Sequence, residues 1–160
     1  MILGADRGDE ERRMTAGLNT RFESDDASPG FMLWRVTNRW QAVMRRTLAP
    51  FDLTHVQFVL LAALTWRADP EGMTQVDLAQ TVRTDPMMVS QVLRALEAKG
   101  LVERRVDPAD ARARRVLATA AGADKARTAN AAVEAADEEF FGPRSAAPMS
   151  LLEHLSHLDR

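Results

Sequence analysis

Two short amphipathic segments, each opened by its own side-chain cap and separated by a two-residue turn, constrain this chain more than any other feature. Thr74-Gln75-Val76-Asp77 opens the first. A threonine hydroxyl there accepts from the backbone N–H three residues on. The segment runs to Val82, with Val76, Leu78, Ala79 and Val82 expected to be buried. Arg83-Thr84 make the turn. Asp85 caps the second segment, and Pro86 takes the first helical position, where its missing N–H costs nothing. From Pro86 to Lys99 the spacing turns Val89, Val92 or Leu93, and Leu96 inward. Gly100 is the expected left-handed stop, with Leu101 folding back against the helix. A short helix bracing a second one is the outline of a helix-turn-helix. The exposed N-terminal face of the second helix carries Met87, Met88, Ser90, Gln91 and Arg94, side chains that donate, accept or make apolar contact in a major groove. The competing reading of this segment alone is a helical hairpin with a solvated polar face.

The flanks extend the pattern. Trp34, Val36, Trp40, Val43, Met44 and Leu48 recur at helical spacing, and Pro50 ends that helix. Thr54-His55-Val56-Gln57 is a capping box, and the helix it opens is apolar nearly all round, which predicts a central position. Asp69-Pro70-Glu71-Gly72 closes it with turn residues. After Gly100 the period changes: Leu101–Val106 and Arg114–Ala118 read as two short strands joined by a loop over 107–113. Arg104, Arg105, Arg112, Arg114 and Arg115 fall within this hairpin, and Asp110 stands two residues before Arg112, able to orient its guanidinium. Such a cluster suits phosphate and minor-groove contact, against the plainer alternative of a solvated charged hairpin. Thr119 then caps a long alanine-rich helix to about Phe140, and Gly142-Pro143 breaks it. Leu151, Leu152, Leu155 and Leu158 form one face of a closing helix.

The segments Leu78-Ala79, Val89–Arg104, Asp107-Pro108-Ala109-Asp110-Ala111-Arg112 and Thr119-Ala120-Ala121-Gly122 resemble the MarR (multiple antibiotic resistance regulator) family of bacterial transcription factors. The resemblance covers roughly residues 31–158. One departure is Ala118, where the family usually has leucine before the threonine. The resemblance implies a mainly α winged helix-turn-helix with a small β-hairpin and with N- and C-terminal dimerisation helices. Residues 1–30 read as a disordered acidic tail and 31–160 as a single regulator domain. The DNA-binding lobe spans about 54–119 and the dimerisation helices about 31–48 and 120–158. It further implies a homodimer on a pseudo-palindromic operator in double-stranded DNA, acting as a repressor. The DNA-binding set is then Thr84, Met87, Met88, Ser90, Gln91, Arg94, Arg104, Asp110, Arg112 and Arg114. In the family a cleft between the first two helices and the long helix binds small aromatic, often anionic, effectors; Trp40, His55 and Phe58 are the candidates here, with plain core packing as the alternative.

Composition narrows the remaining classes. The chain has 160 residues and no cysteine, which excludes disulfide scaffolds, thiolate zinc sites and thiol redox sensing. The net charge of −2 hides an excess of arginine and lysine over acids in the middle and acidic ends, a balance that permits a phosphate-binding surface. No apolar run approaches a membrane span and no secretory signal opens the chain, so a soluble cytoplasmic protein is the expectation. His154 and His157, beside Glu153, are spaced i, i+3 rather than the i, i+4 usual for two histidine ligands on a helix, and no third ligand is obvious, so no metal and no cofactor are expected. There is no phosphate loop or nucleophile elbow, and lysine occurs only at Lys99 and Lys125; an enzyme is not expected. The competing non-enzymatic class is a winged-helix protein–protein interaction module that has lost DNA binding. Arg94, Asp110 and Arg112 argue against it.

Overall fold

The caps read from the sequence form as hydrogen bonds. In the computed structural model, which describes residues 18–67, 69–107, 110, 113–142 and 155, helix α1 runs Pro29–Leu48 and gives way to a 3₁₀ turn at Ala49–Phe51. Helix α2 spans His55–Arg67. Its capping box is reciprocal: the Gln57 N–H donates to Thr54 Oγ1 at 3.2 Å and the Thr54 N–H to Gln57 Oε1 at 3.1 Å. Strand β1 is Met73–Thr74, helix α3 Gln75–Thr81 and helix α4 Pro86–Ala98. Strands β2 and β3 are Val102–Val106 and Arg114–Ala118, and helix α5 is Ala120–Phe141.

The chain divides into two compact units, residues 1–39 and 40–160. In the described part of the first, a 3₁₀ turn at Asp25–Ala27 precedes the N-terminal half of α1, and Arg35 pairs with Asp25 and Asp26. Phe31, Leu33 and Trp34 are all exposed.

The second unit holds the core. Met44, Leu48, Leu60, Leu61, Leu78, Val89, Leu93, Leu96 and Val116 are fully buried, so α1, α2, α3, α4 and β3 all contribute, and Met73 of β1 and Val102 of β2 are nearly fully buried. Helix α2 packs on α3, α4, α5 and β3, the central position its apolar circumference predicts. Two sequence expectations need correcting. Val76 is exposed rather than buried, because a helix of only two turns presents one narrow stripe to the core, and Leu78 and Ala79 occupy it. The hairpin is also not alone. Met73–Thr74 adds a third strand, giving an antiparallel sheet of order β1-β3-β2 with Met73 opposite Val116 and Arg105 opposite Arg115. A two-residue strand has no period for a sequence reading to detect.

Two junctions fix the lobe of α3, α4 and the sheet to the long helices. At the first, Gly100 adopts φ +68, its N–H donates to the Glu97 carbonyl at 2.8 Å, and the Leu101 N–H donates to the Leu96 carbonyl at 3.0 Å. Thr119 then knits this stop to α5. Its backbone N–H donates to the Leu101 carbonyl (3.0 Å) and its hydroxyl to the Gly100 carbonyl (2.8 Å), while Oγ1 accepts from the Gly122 N–H (3.0 Å). A Cβ at residue 122 would lie 1.9 Å from the Leu101 carbonyl oxygen, so the Thr-x-x-Gly spacing is a steric requirement. At the second junction the chain's two lysines converge on the turn after α1. Lys99 Nζ lies 2.9 Å from the Asp52 carboxylate and donates to its carbonyl, and Lys125 Nζ donates to the Phe51 carbonyl at 3.1 Å. The ammonium of Lys99 holds the Asp52 carboxyl below its usual range.

The expected closing helix at 143–160, with Leu151, Leu152, Leu158, His154 and His157, lies outside the described residues apart from Leu155, which is exposed. Among the described residues no single helix is long and apolar enough to cross a membrane.

Candidate nucleic-acid interface

Helix α4 begins where Asp85 Oδ1 accepts from the backbone N–H groups of Met87 (2.9 Å) and Met88 (3.0 Å). These are two of the donors that a helix start otherwise leaves unpaired. The cap fixes the first turn, and Val89, Leu93 and Leu96 then anchor one face in the core. The opposite face is left outward. Met87 is 72% and Met88 44% exposed, large values for apolar side chains in a folded domain, and Gln91 and Arg94 are exposed beside them. Ser90 is half-buried. Arg94 is back-bonded through Nε to the Ser90 carbonyl at 3.3 Å. Thr84, in the turn before α4, is also half-buried and spends its hydroxyl on the Val82 carbonyl at 3.1 Å. Arg83, beside it, holds φ +49, the left-handed backbone that closes this two-helix turn.

The arginines of the hairpin separate into groups that the sequence did not distinguish. Arg104 turns back onto α4: its guanidinium lies 3.2 Å from Glu97 and donates to the Ser90 carbonyl at 3.3 Å, leaving the side chain 18% exposed. It braces the recognition-type helix from behind. Arg115 is turned inward at the root of the hairpin. Its Nε donates to the Asp107 carboxylate at 2.7 Å and its Nη1 to the Gly72 carbonyl at 3.1 Å, with Glu71 3.7 Å away. Asp107 is only 6% exposed. This pairing, foremost the hydrogen bond to Asp107, raises the Arg115 pKa further. Asp107 and Glu71 were not singled out in the sequence; a buried carboxylate at a strand end leaves no pattern there. Arg105 pairs with Glu103. Arg114 is exposed at the start of β3, with Nη1 donating to the Ala113 carbonyl at 3.1 Å. Asp110 is exposed, and its carbonyl accepts from the Ala113 N–H at 2.9 Å, closing the loop. Arg112 lies outside the described residues.

The expected effector residues divide too. Trp40 and His55 meet edge to face with ring centroids 4.8 Å apart, and the Trp40 indole N–H donates to Asp137 at 2.8 Å. Phe141 lies 6.4 Å from Trp40. Phe58 is buried, part of the core against which Trp40 packs. Half-burial pushes the His55 pKa down; Asp137 opposes that shift and Arg45 adds to it. Asp137 and Phe141, one helical turn apart on α5, complete the cluster and were not among the sequence candidates. Among the described residues no group of three or more potential ligands could hold a metal ion.

A short helix bracing a second one, with the second exposed at its N-terminal turn and a charged hairpin alongside, defines a winged helix-turn-helix protein. Residues 53–113 match the MarR family. The chain is 44% identical over 124 residues to the HTH-type transcriptional regulator YdcH of Bacillus subtilis, a span of 77% of this chain and 84% of that protein. It belongs to the MarR family of transcriptional regulators, whose members are not enzymes. Among solved structures it is similar to CouR from Rhodococcus jostii RHA1 bound to p-coumaroyl-CoA (TM-score 0.75, 28% identity, 86% of this chain and 95% of that one). It is similar also to the transcriptional repressor CouR bound to a 23-mer DNA duplex (TM-score 0.73, 27% identity, 83% and 93%).

Proposed function

We propose that this regulator is a homodimeric repressor that binds a pseudo-palindromic operator and is released by a small aromatic or anionic effector. The observation that carries the reading is the outward N-terminal face of α4, where Met87, Met88, Gln91 and Arg94 are exposed on a helix whose other face is locked in the core. Such a face enters a major groove without rearrangement. Gln91 suits adenine, Arg94 guanine or a phosphate, and the methionines thymine methyl groups. Ser90 joins Gln91 and Arg94 in base preference, Thr84 belongs to the turn that leads into this face, and Arg112, Asp110 and Arg114 belong to the wing. Arg104 acts indirectly, by holding α4. CouR bound to a DNA duplex supports the nucleic-acid partner, and its description as a repressor supports the sign of regulation.

Dimerisation is supported by Phe31, Leu33 and Trp34, which are 47%, 55% and 67% exposed near the start of α1. An identical partner removes such a surface from water. CouR bound to p-coumaroyl-CoA supports an effector, and the Trp40–His55–Asp137 cluster is the polar–aromatic surface suited to an aromatic one. The protein acts in the cytoplasm, where its operator is.

The test is fluorescence anisotropy with the DNA upstream of the protein's own gene, at fixed salt. Wild type should bind, and Arg112→Ala should bind about 1–3 kcal/mol more weakly with unchanged circular dichroism, as for a lost groove contact. Equal affinities would refute the wing assignment. Gln91→Ala should relax base preference at one position per half-site in a selection from random duplexes.

A further inference from the structure

We infer that Met87 and Met88 form an oxidation site through which a peroxide switches off operator binding. The inference rests on the DNA-binding reading above and adds a chemical input to it.

The chain has no cysteine, so a two-electron oxidant meets no thiol and the thioethers are its softest nucleophiles. The described methionines differ sharply in access. Met44 is fully buried, Met73 is 8% exposed and Met32 36%, whereas Met88 is 44% and Met87 72% exposed. Among the described residues the two most exposed methionines are therefore adjacent, and both stand on the first turn of the helix that faces the groove. Their backbone is held by Asp85, so access does not require the helix to open.

The chemistry balances with the peroxide as sole co-reactant. The thioether sulfur attacks one peroxide oxygen, an S–O bond forms as the O–O bond breaks, and the departing oxygen leaves as water after proton transfer. Sulfur is oxidised by two electrons and the peroxide is reduced by two. The product replaces a flexible apolar side chain with one that ends in a strongly accepting oxygen. Across the interface stand phosphates and the acceptor-rich major-groove edges of guanine and thymine, so each new oxygen faces acceptors instead of a methyl group. Val89, the next residue and the first core anchor of this helix, is fully buried, so the exposed thioethers are separate from the side chain that holds the helix in place. Bound DNA covers the same two side chains, so operator and oxidant compete for one surface.

The experiment treats the full chain with hydrogen peroxide, measures sulfoxide at each methionine by peptide mass spectrometry, and measures binding to a duplex selected by the untreated protein from a random pool. Met87 and Met88 should oxidise before Met44 and Met73, prior addition of the duplex should protect them, and binding should weaken at least tenfold. Methionine sulfoxide reductase should restore binding. Peroxide should weaken Met87→Leu/Met88→Leu less than threefold relative to that variant's own untreated affinity. Binding that survives complete oxidation of both residues, or a loss that the double variant shares and the reductase does not reverse, would overturn the proposal and leave the DNA reading intact. A failure of the untreated protein to select any duplex would overturn both.

Discussion

Thr119 is the residue on which the join between the end of α4 and the long helix α5 depends, and its replacement gives a sharp test. Its hydroxyl caps α5 by accepting from the Gly122 N–H and also donates to the Gly100 carbonyl. Loss of an N-cap costs about 1 kcal/mol. Loss of a hydrogen bond to a carbonyl that is left without that donor costs roughly 0.5–1.5 kcal/mol more. Thr119→Ala should therefore lower stability by about 1.5–2.5 kcal/mol, which for a chain of this size is a fall in Tm of about 3–10 °C. Thr119→Ser keeps both hydrogen bonds and should stay within about 0.5 kcal/mol of wild type, whereas Thr119→Val, which keeps the shape and loses the hydroxyl, should resemble alanine. Gly122→Ala supplies the sign test. In an open helix the exchange gains about 1 kcal/mol, but here the added Cβ meets the Leu101 carbonyl oxygen at 1.9 Å, so the variant should be destabilised. Urea unfolding followed by circular dichroism, at matched protein concentration because association between copies shifts apparent stability, decides the matter. A Thr119→Ala loss below about 0.5 kcal/mol, or serine behaving like alanine, would refute the reasoning.

Other perturbations follow from the same structure. Asp107→Asn and Arg115→Met loosen the root of the wing, so operator affinity should fall while far-UV circular dichroism stays unchanged; equal affinity at several salt concentrations would show that the pair does not aim the wing. Because the folded-state His55 pKa is depressed, the unfolded chain binds the extra proton, so its contribution to stability is full above about pH 6.5 and is lost as pH falls below that value toward the folded pKa. His55→Gln should flatten that part of the stability–pH curve, and an identical acid limb in both proteins would exclude His55 as its source. Cutting the chain after Gly142 removes the leucine-rich segment and should abolish dimerisation and operator binding together, as read by sedimentation and anisotropy.

What the sequence determined by itself was the punctuation. The Thr54–Gln57 box, the Thr74, Asp85 and Thr119 caps and the Gly100 stop all act over three or four residues, so the residue types and their spacing suffice to specify them. The helical stripes were legible for the same reason, and with them the winged helix-turn-helix and the exposed face of α4. Tertiary structure alone decided which arginines turn inward and which stay exposed. Arg104 and Arg115 look the same as Arg114 in sequence, yet one is drawn onto Glu97 and Ser90 and another onto Asp107 and Gly72. Those partners come from other elements, up to 43 positions away. The Trp40–Asp137 bond joins residues 97 positions apart, and β1 exists only because β3 offers it an edge. A charge or a two-residue strand takes its role from what the fold brings beside it, and that proximity is written across the whole chain rather than in any window of it.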